Sequence, residues 1–290
     1  MLVLLALVTA GCALLPATQP AARTPTGAPT AAATLTRTPV PTFTPAPTLT
    51  PSPTSCSRST PGQVTRETFD SALLGFDYTV SIYTPPCYGL EEEREYPVLY
   101  LLHGQSMDDT FWLSLGAAET ADRLIAGGAP PFLMVMPREF YNYEAVPGSL
   151  FGDSVVQELI PWVEENYSVC ARRDCRAIGG VSRGGGWAVR LGLRNFDIFG
   201  AIGAHSMSLM PGDWWQVREL RRVHEPADFP RIYMDRGEDD YLYKDIDFFE
   251  KTLRDYEVPH EFHLREGAHS TEYWQAHVEE YLTWYAEGWE

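Results

Sequence analysis

The chain has 290 residues, is 44% hydrophobic and 12% aromatic, and carries a formal net charge of −17 with a sequence pI of about 4.8. That acidity argues against nucleic-acid binding, which needs clustered Lys and Arg to displace counterions, and against docking of a folded domain on an anionic membrane. The apolar content is enough to fill the core of one domain of more than about 200 residues.

The chain opens with an apolar run, Met1 to Gly11, ending in Thr9-Ala10-Gly11-Cys12. Small residues before a cysteine at the end of such a run resemble a lipoprotein export signal, with Cys12 as the lipidated residue. The alternative is an uncleaved N-terminal segment. The run is too short for a spanning helix, which needs about 20 apolar residues. Residues 13–60 are dominated by Thr, Pro and Ala. Proline removes backbone donors and favours extended chain, and too little apolar surface is present to offset the entropy of ordering. This stretch reads as a disordered stalk, able to reach about 100 Å at ~3.1 Å per residue. Residues 61–290 are the expected folded domain. With Cys12 set aside, Cys56, Cys87, Cys170 and Cys175 remain, an even number that suits an exported, disulfide-bonded protein. Three connectivities exist; a local Cys170–Cys175 closure leaves Cys56 to pair with Cys87.

Within the folded part, Val64 to Asp70 and Tyr78 to Tyr83 read as an antiparallel pair turning at Leu74-Gly75. Tyr96 to Leu102 and Phe132 to Met136 are continuous apolar runs, as expected of strands buried on both faces. Helical spacing covers Phe111 to Ala126, and Ser154 to Tyr167 is amphipathic, with Val155, Leu159, Trp162 and Val163 on one side. Arg176 to Val181 reads as a strand, Gly184 to Leu193 as a helix and Phe199 to Ala204 as a strand. Strands at Arg231 to Met234 and Glu261 to Leu264, with helices at Tyr241 to Tyr256 and Thr271 to Tyr285, complete the pattern. Such alternation predicts an α/β fold with a mainly parallel sheet covered on both faces.

Gly180-Val181-Ser182-Arg183-Gly184 fits G-x-S-x-G between a strand-like and a helix-like segment. A tight strand-to-helix turn holds the serine in a strained conformation, and side chains at Gly180 and Gly184 would collide with it. The following helix aims its N-terminal N–H groups at the serine, where an oxyanion would form. A serine hydroxyl needs a base to become nucleophilic. His269 lies in Glu266-Gly267-Ala268-His269-Ser270, directly after the last predicted strand, and is the expected base. His260 and His263 border or lie in that strand, on opposite faces, and His277 lies in a helix.

These pieces resemble the esterase branch of the α/β-hydrolases that includes S-formylglutathione hydrolase, feruloyl esterases, enterochelin-esterase-like enzymes and the mycolyltransferases. The resemblance rests on Tyr96 to Gly104, on Glu158-Leu159-Ile160-Pro161 with Asn166-Tyr167, and on Gly179 to Gly185. Gly237-Glu238-Asp239-Asp240 and Gly267-Ala268-His269 follow in the family's order. It implies an α/β-hydrolase fold and a Ser182, Asp240, His269 triad; Asp240 follows Gly237 at the family's spacing, with Asp239 and Asp235 as rivals. It also implies an oxyanion hole made by the backbone N–H groups of Gln105 and Arg183, and no metal or cofactor. Trp187, Trp214 and Trp215, with Trp112, are candidates for the substrate pocket. The implied partner is a small-molecule, glycan or lipid ester, and the only implied membrane contact is the N-terminal lipid. An acyltransferase with the same triad, a peptidase and a non-catalytic binding module are the rival readings.

Overall fold

The computed structural model describes residues 60–289 apart from 91, 92, 141, 142 and 144. Cys12, the expected export signal at 1–12 and nearly all of the expected stalk at 13–60 lie outside the described residues. Among the described residues, no helix is long and apolar enough to cross a membrane.

Eight strands form one sheet: β1 (Gln63–Ser71), β2 (Phe76–Thr84), β3 (Val98–Leu102), β4 (Leu133–Pro137), β5 (Arg176–Val181), β6 (Ala201–His205), β7 (Arg231–Asp239) and β8 (Glu261–Ala268). Their spatial order is β1-β2-β4-β3-β5-β6-β7-β8. β1 and β2 run antiparallel as a hairpin, β2 runs antiparallel to β4, and the pairs from β4 across to β8 are parallel. β3, β4, β5 and β6 are buried along their whole length. Apart from Arg176 at the start of β5 and His205 at the end of β6, their apolar or small residues suit strands with helices on both sides. β8, at the sheet edge, alternates between partly buried and exposed positions.

The helices are α1 (Phe111–Ser114), α2 (Ala117–Ala126), α3 (Phe151–Ser154), α4 (Ile160–Asn166), α5 (Arg183–Arg194), α6 (Asp213–Arg221), α7 (Tyr243–Asp255) and α8 (Thr271–Glu287). Apolar residues of α1, α2 and α8 close one face of the sheet around Trp112, Ile125, Tyr281 and Leu282. Those of α3 to α7 close the other around Phe151, Val163, Trp187, Val217 and Phe249. The chain goes from β3 to β4 on one side and returns to β5 on the other side of β3. This reversal is where open α/β sheets leave a crevice at the carboxyl ends of their strands.

Several elements differ from the sequence pattern, each for a local reason. The single helix expected over 111–126 is two, because Gly116 adopts a left-handed conformation (φ 84°) between α1 and α2. The helix expected over 154–167 begins at Phe151 and contains a π turn at Val155–Leu159 before α4. Pro161, in the first turn of α4, has no N–H to give the Gln157 carbonyl, and a widened turn accommodates that loss. α6 was not signalled: only Val217, Leu220 and its first residue Asp213 are buried, and Trp214 and Trp215 face outward. β7 and β8 run further than their apolar cores, to Asp239 and Ala268. Cys170 and Cys175 are disulfide-bonded across a Cα–Cα distance of 5.7 Å just before β5. Cys87 is also disulfide-bonded; Cys56, its expected partner, lies outside the described residues.

Candidate active site

Ser182 stands between the last residue of β5 and the first of α5 with φ 54° and ψ −119°, a conformation costly for a residue with a side chain. The cost, about 1–3 kcal/mol, is offset by bonds to both of its peptide groups. Its N–H donates to the His205 carbonyl of β6 (2.9 Å), and its carbonyl accepts from Gly186 (3.0 Å) and Ser208 (2.9 Å). The two motif glycines are forced by proximity. A Cβ at Gly184 would stand 2.2 Å from the Leu102 carbonyl oxygen, and one at Gly180 would stand 2.4 Å from the Gly184 carbonyl carbon. α5 can approach the end of β3 this closely only because both positions lack side chains.

Three side chains from three separate segments meet in one hydrogen-bonded chain. Ser182 Oγ lies 2.9 Å from His269 Nε2. His269 Nδ1 lies 3.0 and 3.1 Å from the two Asp240 carboxylate oxygens. A carboxylate can only accept, so Nδ1 carries the proton and Nε2 is left to accept from the serine hydroxyl. His269 is the first residue after β8, and Asp240 is the first after β7, so parallel neighbours deliver them to the same edge. Asp240 is fixed by its own N–H on the Gly237 carbonyl (3.2 Å) and by the Leu242 N–H on its Oδ1 (2.8 Å). Burial pushes its carboxyl pKa up, but hydrogen bonds from His269 and Leu242 outweigh this and hold it below the ordinary carboxylate range. The carboxylate is thus kept charged beside the imidazole.

The rival carboxylates are elsewhere. Asp239 is exposed. Asp235 is fully buried and accepts from His205 Nδ1 (2.9 Å) and from the hydroxyls of Tyr273 and Tyr281 (both 2.7 Å). The other histidines near the end of the chain lie elsewhere: His260 Nδ1 bonds the Val258 carbonyl, His263 stacks on Tyr233, and His277 Nδ1 bonds the Tyr273 carbonyl. Two aromatic residues that the sequence did not single out flank the imidazole. Trp274 meets His269 edge-on at 5.0 Å and is buried, while Tyr241 lies at 4.5 Å and is 70% exposed. Tyr241 is next to Asp240, so its adjacency to the expected acid was the only signal in the chain.

Gln105 is the third residue beyond β3, and its peptide partner Gly104 closes against Ser182: a Cβ on Gly104 would be 3.5 Å from Ser182 Cβ. Ser106 follows with positive φ (67°) and is hydrogen-bonded to the Tyr143 hydroxyl. Arg183 turns its side chain away from the serine into a bidentate pair with the buried Glu139, at 2.8 and 2.6 Å. Glu139 had no sequence signal, since it lies just past β4 in an irregular loop.

The expected tryptophan pocket is not brought together. Trp187 is 3% exposed and its Nε1–H donates to Glu139 (3.1 Å). One edge of it borders a cleft of about 550 Å³ shared with Val156, Arg190 and Leu191, further along α5 than the serine. Trp112 is core, with its Nε1–H on the Leu102 carbonyl. Trp214 and Trp215, 38% and 44% exposed, contact each other and Phe248 on the outside of α6 and α7.

A family model described as "Putative esterase" matches residues 71–285. An endo-1,4-beta-xylanase/feruloyl esterase of Xylanibacter ruminicola is 31% identical over 171 residues, 55% of this chain and 23% of that protein. An acetyl esterase of Caldicellulosiruptor saccharolyticus is 24% identical over 219 residues, 64% of this chain and 82% of that protein. The solved structure of a ferulic acid esterase superposes with a TM-score of 0.71 at 28% identity, covering 79% of this chain and 98% of that one. The chain spans only 23% and 31% of the lengths of the first two curated relatives it matches.

Proposed function

Because the chain belongs to the α/β-hydrolase family of putative esterases, we propose that it hydrolyses carboxylic esters through an acyl-enzyme on Ser182. The observation that carries this reading is the unbroken hydrogen-bonded run from Ser182 through His269 to Asp240. His269 takes the hydroxyl proton as Ser182 Oγ attacks the ester carbonyl, and the oxyanion accepts from the N–H groups of Gln105 and Arg183. The tetrahedral intermediate collapses, the C–O bond to the alcohol breaks, and His269 gives its proton to the leaving oxygen. Water then repeats the cycle: His269 removes its proton, and the serine leaves as the acid is released. Asp240 holds the imidazole in the working tautomer and stabilises the imidazolium formed in each half.

The feruloyl and acetyl esterases among the relatives set the acyl groups to test, aromatic and small. Ser182→Ala should abolish turnover of p-nitrophenyl acetate and of feruloyl and acetyl sugar esters, with the melting curve nearly unchanged. A fluorophosphonate should label the parent at Ser182 and leave the variant unlabelled. Retained turnover, or labelling at another residue, would reject the nucleophile.

The same reading places 61–290 outside the cytoplasm, held by a lipid on Cys12 and a stalk over 13–60. The Cys170–Cys175 disulfide supports an oxidising compartment. Labelled fatty acid fed to an expressing bacterium should enter the parent and not Cys12→Ser.

A further inference from the structure

Both N–H groups assigned to the oxyanion hole belong to peptide units whose carbonyls are already held. In a trans peptide the C=O and the next N–H point in opposite directions, so fixing the oxygen fixes the aim of the hydrogen. For the Arg183 N–H, the oxygen is that of Ser182, bound by Gly186 and Ser208. For the Gln105 N–H, it is that of Gly104, which accepts from Met107 N–H (3.2 Å) and lies 2.7 Å from His103 Nδ1. His103 has one arrangement open to it. Its Nε2 accepts from the backbone N–H of Glu139 (2.9 Å), so Nδ1 carries the proton and donates to Gly104. Burial lowers the pKa of this histidine and keeps it neutral.

Glu139 therefore touches both halves. Its N–H seats the histidine that holds the Gly104–Gln105 peptide. Its carboxylate takes two hydrogen bonds from Arg183, whose own N–H is the second donor, and a third from Trp187 one turn along α5. The pair is largely shielded, with side-chain exposures of 13% for Arg183 and 4% for Glu139. A fork-to-fork pair of this kind fixes orientation as well as distance. We propose that the Glu139 carboxylate, acting through the Arg183 side chain, makes Glu139 a positioning residue that holds the Arg183 donor in register with the Gln105 donor. Its carboxylate bonds Arg183 and Trp187, and it acts on the site through Arg183. The inference rests on the esterase reading and on the assignment of Gln105 and Arg183 as donors.

The test compares the parent with Glu139→Gln and with the double variant Glu139→Gln/Arg183→Met. The double variant removes both charges, so no buried charge is left unpaired and the fold has the better chance of surviving. Turnover is read with p-nitrophenyl acetate, and transition-state affinity with phenylboronic acid, whose tetrahedral serine adduct puts an oxygen in the hole. The expected result in either folded variant is a fall in kcat of about ten-fold or more with KM within about two-fold. The phenylboronic acid inhibition constant should rise by a matching factor. A residue that only supports the fold would lower the melting temperature without weakening the boronate in the surviving folded protein. If a folded variant keeps both kcat and boronate affinity within about two-fold of the parent, the positioning role is overturned. A fall in kcat with boronate affinity unchanged also overturns it. A parent that neither turns over the ester nor binds the boronate would instead remove the esterase reading, and this inference with it.

Discussion

Replacing Asp240 with asparagine tests the arrangement most directly, because the geometry says which way the amide must sit. The Leu242 N–H points at Oδ1 from 2.8 Å, so the asparagine oxygen takes that position and the NH₂ takes that of Oδ2. The Oδ2 position is 3.1 Å from His269 Nδ1. An NH₂ there opposes the imidazole N–H, and the only acceptor left to it is the oxygen at the Oδ1 position, 3.0 Å away and already bonded by the Leu242 N–H; this favours the other tautomer, with the proton on Nε2, which lies 2.9 Å from Ser182 Oγ. In that tautomer the imidazole cannot accept the serine proton, and the imidazolium has lost its counter-charge. The analogous loss in serine proteases is about 10⁴-fold, equivalent to about 5 kcal/mol of transition-state stabilisation. The assay is kcat/KM for p-nitrophenyl acetate, normalised to the concentration of folded protein, beside a thermal melt. Asp235→Asn is the control. It disturbs a buried carboxylate with three donors and should cost about 1–3 kcal/mol of stability, yet the folded enzyme should keep most of its kcat. If Asp240→Asn stays within ten-fold of the parent while Asp235→Asn abolishes turnover in folded protein, the assignment of the acid is wrong.

Gly184→Ala brings a Cβ to 2.2 Å from the Leu102 carbonyl and 2.6 Å from that of His103; neither can move without pulling β3 from β5. It should cost about 3 kcal/mol, measured by urea denaturation, and a loss under about 0.5 kcal/mol would show that the packing of α5 on β3 is looser than described. Cys170→Ser/Cys175→Ser opens a loop with a sequence separation of 5 and should cost about 2 kcal/mol by loop entropy, a fall in Tm of roughly 4–8 °C for a domain of this size. Asp240, whose folded pKa is depressed, binds its proton less readily folded than unfolded. Its contribution to stability is therefore complete above the unfolded carboxylate value of about 3.9 and is lost as pH falls through the lower folded value. Compared with Asp240→Asn, the parent should lose more stability between pH 5 and pH 2; parallel denaturation curves across that range would contradict the depressed pKa.

The sequence by itself determined the strand–helix alternation, the position of Ser182 between a buried strand and a helix, and the placing of His269 just past the final strand. These are local properties. Period and burial of a strand, glycines demanded by a tight turn, and residues at strand ends can be read within a few neighbours. Only the tertiary structure decided which of Asp235, Asp239 and Asp240 faces the imidazole. β7 runs on to Asp239 and its pairing with β8 shifts between Gly237 and Asp239, and that irregularity sets which carboxylate turns toward β8. The packing of α5 and α6 likewise turned Trp187 inward to Glu139 and left Trp214 and Trp215 outside. Glu139 shows the limit most clearly: its partners, His103 and Arg183, are 36 and 44 residues away in the chain, and no short-range pattern records a contact that exists only once β3, β4 and β5 lie side by side.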